Sequence, residues 1–577
     1  MLPSLLNAAW GVDFGIYYGL TNSFLDTKSL INAYDGWGGS YQYFPVLYII
    51  TGVAHWLTGI EIISLMPKIA PIIGGLTIPI FYFIVYELFK DKKIALLSAG
   101  LLAVATFHVY QTSHAAPLTI GHFFMMLSFY FFIKYLNQHT YLIPLLCSTA
   151  LLVLSHHFTT YFYLLSITFI FFAYVYSKKK PTTYFYKPLS YVIFASGLAF
   201  SYWALIATPV YQNFMQGKMY LPPNITIGIY YLLLLGGFFF IQWFLKHHNH
   251  IHIISKIPDL ATHKKLIIGF VTILLIAVIC SWTGIPGVYI RITPLALLYS
   301  IPMILLISFS YAGLTLVKQY KNHFLIYGWM TALLLSLFYS LISANLMPDR
   351  HLEYIIIPLC VPAAMAINNV IQTVKNQEIK LHVKLPSAPQ LHGTHSIRTL
   401  FVIFLISLFF ISNIFTVYPA IDALNTLDER VSEPCINCYE WMQGNISSNQ
   451  VIASDHRLSM LLWAEGYNIT FGESNMTWTA ENISGCIDEI LTLNITYIII
   501  DDIMRERVVN IDVGEYYYMT NGSYDKFSAY PFTLVYRNAT YNQQFEEVHW
   551  IELYQINQTY LTEMQATLSP THNYPMK

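Results

Sequence analysis

Few residues in this 577-residue chain could do chemistry, and each has a plainer reading beside the chemical one. Asp13 lies among glycines and aromatics in Gly11-Val12-Asp13-Phe14-Gly15. Its carboxylate could take a proton or anchor a metal, or simply cap a turn or helix. Asp35, in Asp35-Gly36-Trp37-Gly38-Gly39, offers the same chemistry against an ordinary Asp-Gly turn. Arg350, in Met347-Pro348-Asp349-Arg350-His351, carries the planar fork that fits a phosphate; otherwise it anchors an interface or pairs with Asp349 or Glu353. Arg291 and Lys218 present weaker versions of the same case. His114, His156 and His157 could line a site, hold a phosphate or ligate a metal, yet each alone also reads as a satisfied interfacial histidine. Asp455-His456-Arg457 either approaches a substrate or opens a helix with charges in its first turn. Cys435-x-x-Cys438 reads as a tight disulfide or redox pair, and is too few ligands for a structural zinc site. The run His247-His248-Asn249-His250 with His252 reads as a solvated loop or an adventitious metal binder.

These residues need a scaffold, and composition names its kind. Hydrophobic residues make up 55% and charged residues 11%, against roughly 25% charged in soluble domains. Mean hydropathy is +0.50 and net charge -1. A soluble enzyme, a disordered chain and a nucleic-acid binder are excluded, the last because no basic patch exists. Twelve segments are long and apolar enough to read as membrane spans: 69–89, 93–113, 118–136, 141–157, 160–177, 188–208, 225–245, 265–285, 295–316, 324–344, 352–372 and 400–418. One set of connections carries 18 Lys and Arg, from Lys90 to Arg398; the alternate set, with residues 1–68, carries five. The first set is cytoplasmic by the positive-inside rule. Nine N-x-[ST] sequons, at Asn224 and from Asn445 to Asn557, all fall on the other side, where glycans are added. Residues 1–68 are then an outer segment with an interfacial helix, 69–418 the transmembrane domain, and 419–577 an extracellular or lumenal domain. The chain shows no signal peptide, so an exported N-terminus implies either a missing first helix or translocation by the first hairpin.

The tail holds 21 of the 31 acidic residues. Strands are expected at 451–454, 497–501, 532–537 and 548–554, and helices at 455–465 and 484–493 with Ser484 as a cap. That pattern makes a small α/β domain. Cys147, Cys280 and Cys360 fall in spans as small apolar fillers.

The order of motifs resembles the GT-C superfamily of membrane glycosyltransferases, in its archaeal form. Gly11-Val12-Asp13-Phe14-Gly15-Ile16-Tyr17-Tyr18 stands where that family has an acidic residue in its first outer loop. An amphipathic stretch follows from Tyr43-Phe44-Pro45-Val46-Leu47-Tyr48 to Leu57-Thr58-Gly59, then a span ending in Tyr86-Glu87-Leu88-Phe89-Lys90-Asp91-Lys92-Lys93, then an outer turn, Tyr110-Gln111-Thr112-Ser113-His114. Met347 to Tyr354 with Pro358 and Pro362, and Cys438-Tyr439-Glu440-Trp441-Met442 followed by Val451 to Asp455, are similar to archaeal members. The family's first helix is absent, because the residues before Asp13 cannot span a bilayer.

The resemblance implies a polytopic α-helical membrane protein of about 12 transmembrane helices. It implies transfer of a sugar from a polyprenyl-phosphate donor to a protein, lipid or glycan acceptor on the outer face of the cell membrane, in contact with membrane lipids and without nucleic acid. Asp13 and Asp35 become the catalytic candidates, and Arg350, Arg291, Lys218, His114, His156 and His157 the donor-phosphate candidates. A divalent cation is a possible cofactor. The related oligosaccharyltransferases carry a Trp-Trp-Asp-Tyr-Gly-type motif after the last span; Ala453-Ser454-Asp455-His456-Arg457 stands there instead, which argues against whole-glycan transfer to Asn. The competing reading is a transporter or a glycan- or lipid-binding cell-surface assembly protein. A transporter should show internal repeats and paired broken helices, and no repeat is visible.

Overall fold

The computed structural model of this chain describes residues 7–34, 36–178, 185–215, 222–247, 260–284, 294–342, 347–348, 350–376, 397–417, 428–512 and 515–568. Helices dominate up to Val417. Among the described residues eight are long and apolar enough to cross a membrane: Ile62–Phe89, Pro117–Asn137, His157–Ser177, Tyr186–Leu205, Asn224–His247, Thr262–Thr283, His323–Leu341 and Arg350–Thr373. The protein is a multi-pass membrane protein. Asn224–His247 and Thr262–Thr283 bury only 11% and 6% of their apolar windows. Helices that are hydrophobic all round yet unburied have lipid as their natural solvent.

Twelve equal spans are not what forms, although all twelve expected segments are helical. The segment at 93–113 is a bent pair, Lys92–Val104 and Thr106–Thr112, turned by 67° at Ala105. The segment at 141–157 is helical only over Leu142–Val153, because His156 begins the next helix by accepting from the backbone N–H of Thr159. The segment at 295–316 breaks into Pro294–Tyr299 and Ile301–Val317, with Pro302 in the first turn of the second. The first span starts earlier than its apolar core suggests, at Ile62 rather than 69.

Ahead of that span lie two helices. Phe14–Thr27 stops at Lys28, which adopts the left-handed conformation, and Val46–Thr58 stops at Gly59 in the same way. The second covers the stretch where an interfacial helix is expected; the first was not visible in the sequence. A short strand β1 (Ala9–Trp10) pairs antiparallel with β2 (Arg430–Val431), stapling the start of the chain to the start of the C-terminal domain.

That domain is α/β. Its sheet contains β3 (Val451–Ala453), β4 (Asn468–Thr470), β5 (Ile495–Asp501), β8 (Phe532–Tyr541) and β9 (Glu547–Ile556), in the order β4-β3-β5-β9-β8. β3 runs parallel to β4 and β5, and the β8–β9 pair is antiparallel. A hairpin of β6 (Val508–Asp512) and β7 (Glu515–Tyr518) stands apart. The expected strands and the helix His456–Ala464 form where their apolar patterns put them. Ser484 is not a cap: Asn482 caps a one-turn 3-10 helix at Ile483–Gly485, and the helix proper is Ile487–Thr492. Cys435 and Cys438 are free thiols one turn apart on Glu433–Asn445, not a disulfide. Both are core residues, and burial pushes the Cys438 thiol up to about 12, which removes the reactivity of a redox pair.

Candidate functional site

Asp13 stands at the meeting of the N-terminal segment and the C-terminal domain. It precedes the helix Phe14–Thr27 without capping it through its side chain. The carboxylate is instead turned outward to two donors. Tyr41 Oη donates to Oδ2 at 2.7 Å, and His456 Nε2 lies 3.0 Å from Oδ1. An ionised carboxylate only accepts, so Nε2 carries the proton. Burial first, then the Asp13 charge, holds the Tyr41 hydroxyl well above its usual value, so it remains a donor.

The glycines beside Asp13 explain how the C-terminal domain comes so close. A Cβ on Gly15 would lie 2.4 Å from the backbone of Met460 and Leu461, and one on Gly19 would lie 2.6 Å from the Trp463 ring. Only glycine lets the helices Phe14–Thr27 and His456–Ala464 cross at this distance. His456 is the first residue of its helix, so the crossing delivers its imidazole to Asp13. Trp37 packs on that ring at 4.4 Å and Phe471 edge-on at 5.1 Å.

A second acid–base group adjoins the first. His114 Nδ1 donates to the Tyr110 carbonyl at 2.7 Å, and its Nε2 faces Glu429 Oε2 at 2.8 Å. Tyr110 Oη donates to the other oxygen of Glu429 at 2.8 Å. Gly11, at φ 124°, places its backbone against the His114 ring and donates to the Glu429 carbonyl. The C-terminal domain thus meets the N-terminal segment through His456 and the turn at Tyr110–His114 through Glu429.

Arg350 opens its helix, and its Nη1 lies 3.2 Å from Glu353 Oε1, which also accepts from Gln111 at 2.7 Å. The pairing with Glu353 expected as the plain reading is present. The Arg350 side chain nevertheless stays 42% exposed. Glu353 and Gln111 tie it to the helix Thr106–Thr112, which also carries Tyr110, and so to the group around His114 and Glu429. His156 and His157 lie behind Phe44, whose ring is 6.4 and 5.3 Å from theirs. His156 is occupied in starting its helix, with Nδ1 2.9 Å from Thr159 Oγ1. Asp35, Lys218 and Arg291 lie outside the described residues, as do His248, His250 and His252.

Asp455-His456-Arg457 divides its labour. Asp455 caps its helix and pairs with Arg457, which also holds Asp501. Only His456 turns to the site. Tyr41 and Glu429 were missed as site residues, and Glu353 was anticipated only as a partner of Arg350. Tyr41 follows a Gly-rich turn, which was a usable signal; Glu429 is recognisable only by its distant partners.

Among the described residues no group of three or more His, Cys, Asp or Glu is arranged to hold a metal ion. Asp13 and His456 could supply two ligands, but in this arrangement they are bonded to each other.

No family model matches the sequence and no curated protein matches it. Solved structures do. The archaeal oligosaccharyltransferase AglB of Archaeoglobus fulgidus, with an inhibitory peptide and a dolichol-phosphate, aligns at TM-score 0.51 and 16% identity, over 86% of this chain and 66% of that one. The same organism's oligosaccharyltransferase in the apo form aligns at TM-score 0.49 and 17% identity, again over 86% and 66%. The mycobacterial arabinofuranosyltransferase AftD aligns at TM-score 0.42 and 10% identity, over 88% of this chain and 35% of that one. The chain thus spans just under two thirds of the length of the first of these.

Proposed function

We propose, from the GT-C fold that this chain has, that it is a membrane glycosyltransferase. It transfers a sugar from a polyprenyl-phosphate-linked donor to an acceptor on the outer face. The observation that carries this reading is Asp13, a hydrogen-bonded carboxylate 23% exposed where helical body and α/β domain meet. The dolichol-phosphate bound by AglB supports a donor of that chemical class.

In the reaction Asp13 takes the proton from the acceptor hydroxyl or amide. The freed electron pair attacks the anomeric carbon, and the bond from that carbon to the phosphate oxygen breaks with its electrons. Arg350 neutralises the charge that grows on the departing phosphate. Apolar, outward-facing helices provide the surface along which the lipid tail lies. The outer placement of the C-terminal domain is supported by its sequons: of its eight acceptor asparagines, seven are exposed and Asn538 is half-buried. Cysteines introduced near Lys179 and near Asp525 should be labelled by an impermeant reagent only at the second position; the reverse pattern would invert the topology.

The chemical test is sugar transfer from polyprenyl-phosphate donors by purified protein. Asp13→Asn removes charge and keeps size, so turnover should fall about a hundredfold or more with folding intact. Arg350→Ala should weaken donor binding and turnover together, and Arg350→Lys should recover only part, because a point charge does not reproduce the fork. Full activity of a folded Asp13→Asn protein would remove Asp13 from the mechanism. No transfer by the unmodified protein with any donor would favour a binding or assembly role.

A further inference from the structure

We infer that His456, a residue of the C-terminal domain, is the positioning residue for Asp13, so that the extramembranous domain completes a site whose carboxylate belongs to the N-terminal segment. The inference rests on the proposed role of Asp13. Its grounds are geometric. The imidazole is fully buried, and its one hydrogen bond among the described residues goes to Asp13 Oδ1. Nδ1 is buried with no hydrogen-bond partner among the described residues, so no acceptor awaits a proton there. The tautomer that fits is the one with hydrogen on Nε2, a single donor aimed at the carboxylate.

The ring is also restrained by its neighbours. Trp37 lies against it at 4.4 Å, tilted by 56°, and Phe471 stands edge-on at 5.1 Å. Its backbone starts a helix whose N-cap, Asp455, is locked to Arg457 and through it to Asp501. The helix is pressed on Gly15 and Gly19 of the helix that Asp13 precedes. Asp13 is thereby clamped between two donors on separate parts of the chain, His456 on one oxygen and Tyr41 on the other. A base fixed in this way is pre-oriented toward an acceptor and pays no reorganisation during the transfer.

His456→Leu fills the apolar cage and removes the donor. Turnover should fall about tenfold or more with KM for the lipid donor little changed. His456→Gln, whose side-chain amide reaches nearly as far as Nε2, should restore most of the turnover. His456→Asn is polar but too short, and should behave like Leu; where Leu does not fold, the Gln and Asn variants read the same contact. Wild-type turnover in His456→Leu, while Asp13→Asn is inactive, would overturn this inference and leave the role of Asp13 standing. Equal losses in the Gln and Asn variants would reduce His456 to packing. Full activity in Asp13→Asn would remove the premise itself.

Discussion

His456 and Arg457 are neighbours in the sequence and leave the same short helix toward different fates. Arg457 turns into the α/β domain, where it is 2% exposed and bonded to Asp455, to both oxygens of Asp501 and to the Arg430 carbonyl. His456 turns across the domain boundary to Asp13, whose carboxylate keeps 23% of its surface open. Both are acid–base contacts at similar distance, yet only one leaves room for a reacting molecule. A buried ion network with every lone pair used locks a domain together and has nothing left to react with. A carboxylate held by two donors at the rim of a junction is fixed and still accessible. Distance and residue type therefore do not distinguish a structural pair from a functional one here; exposure and the identity of the linked elements do.

The largest effect should come from breaking the buried side of this pair. Arg457→Ala leaves Asp455 and Asp501 facing each other without a counter-charge, at a cost on the order of 3–5 kcal/mol. The C-terminal domain should lose its cooperative thermal unfolding in detergent and become sensitive to limited proteolysis, with activity lost as a consequence. Asp13→Asn should do the opposite, losing activity while the unfolding transition stays. An Arg457→Ala protein as heat-stable as the parent would erase the difference between the two regions.

Next in size is the crossing that joins them. Gly15→Leu puts a side chain into the backbone of Met460 and Leu461, where a Cβ alone would already be 2.4 Å away. Overpacking of this kind costs about 1–3 kcal/mol. The helices should part, taking His456 from Asp13, so turnover falls while the α/β domain keeps its own fold. Proteolysis that still yields an intact domain, with activity reduced, is the expected result. Unchanged activity in Gly15→Leu would mean that the crossing does not deliver His456.

What the sequence made legible follows from range. The apolar segments and the alternating strands of the tail are local patterns, and Ile495–Asp501 and Glu547–Ile556 form where Val, Ile and Tyr accumulate. Asp13 stood out because acids are rare before residue 419, and Arg350 because an outer arginine is uncommon. The helix Phe14–Thr27 was hidden by its glycines, which lower helix propensity yet are there for the crossing with His456–Ala464. The partners of Asp13 lie 28 and 443 residues away, and Glu429 lies 315 from His114. No spacing rule joins residues at such separations. Nor could the sequence show that 93–113 would bend at Ala105, since nothing there but a run of Ala, Thr and Phe marks the break.

The smallest effect tests whether the two donors act on Asp13 as a unit. Tyr41→Phe keeps a ring against Tyr17, whose centroid is 5.1 Å away, and removes only the hydroxyl on Oδ2. The hydroxyl is a firm donor, because burial and then Asp13 itself raise its ionisation well above the usual range. Losing one neutral donor to a partly open carboxylate, where water can take its place, should cost about 1 kcal/mol, or roughly fivefold in turnover. Combining the two substitutions is the sharper measurement. If both donors restrain the same carboxylate, the first loss already frees Asp13 to turn, and the second removes less than it does alone. The double variant should then fall short of the product of the single effects by more than roughly 0.5 kcal/mol. Strict additivity in turnover would mean that Tyr41 and His456 do not share Asp13 during the reaction, and the junction would then be a packing contact like that of Arg457.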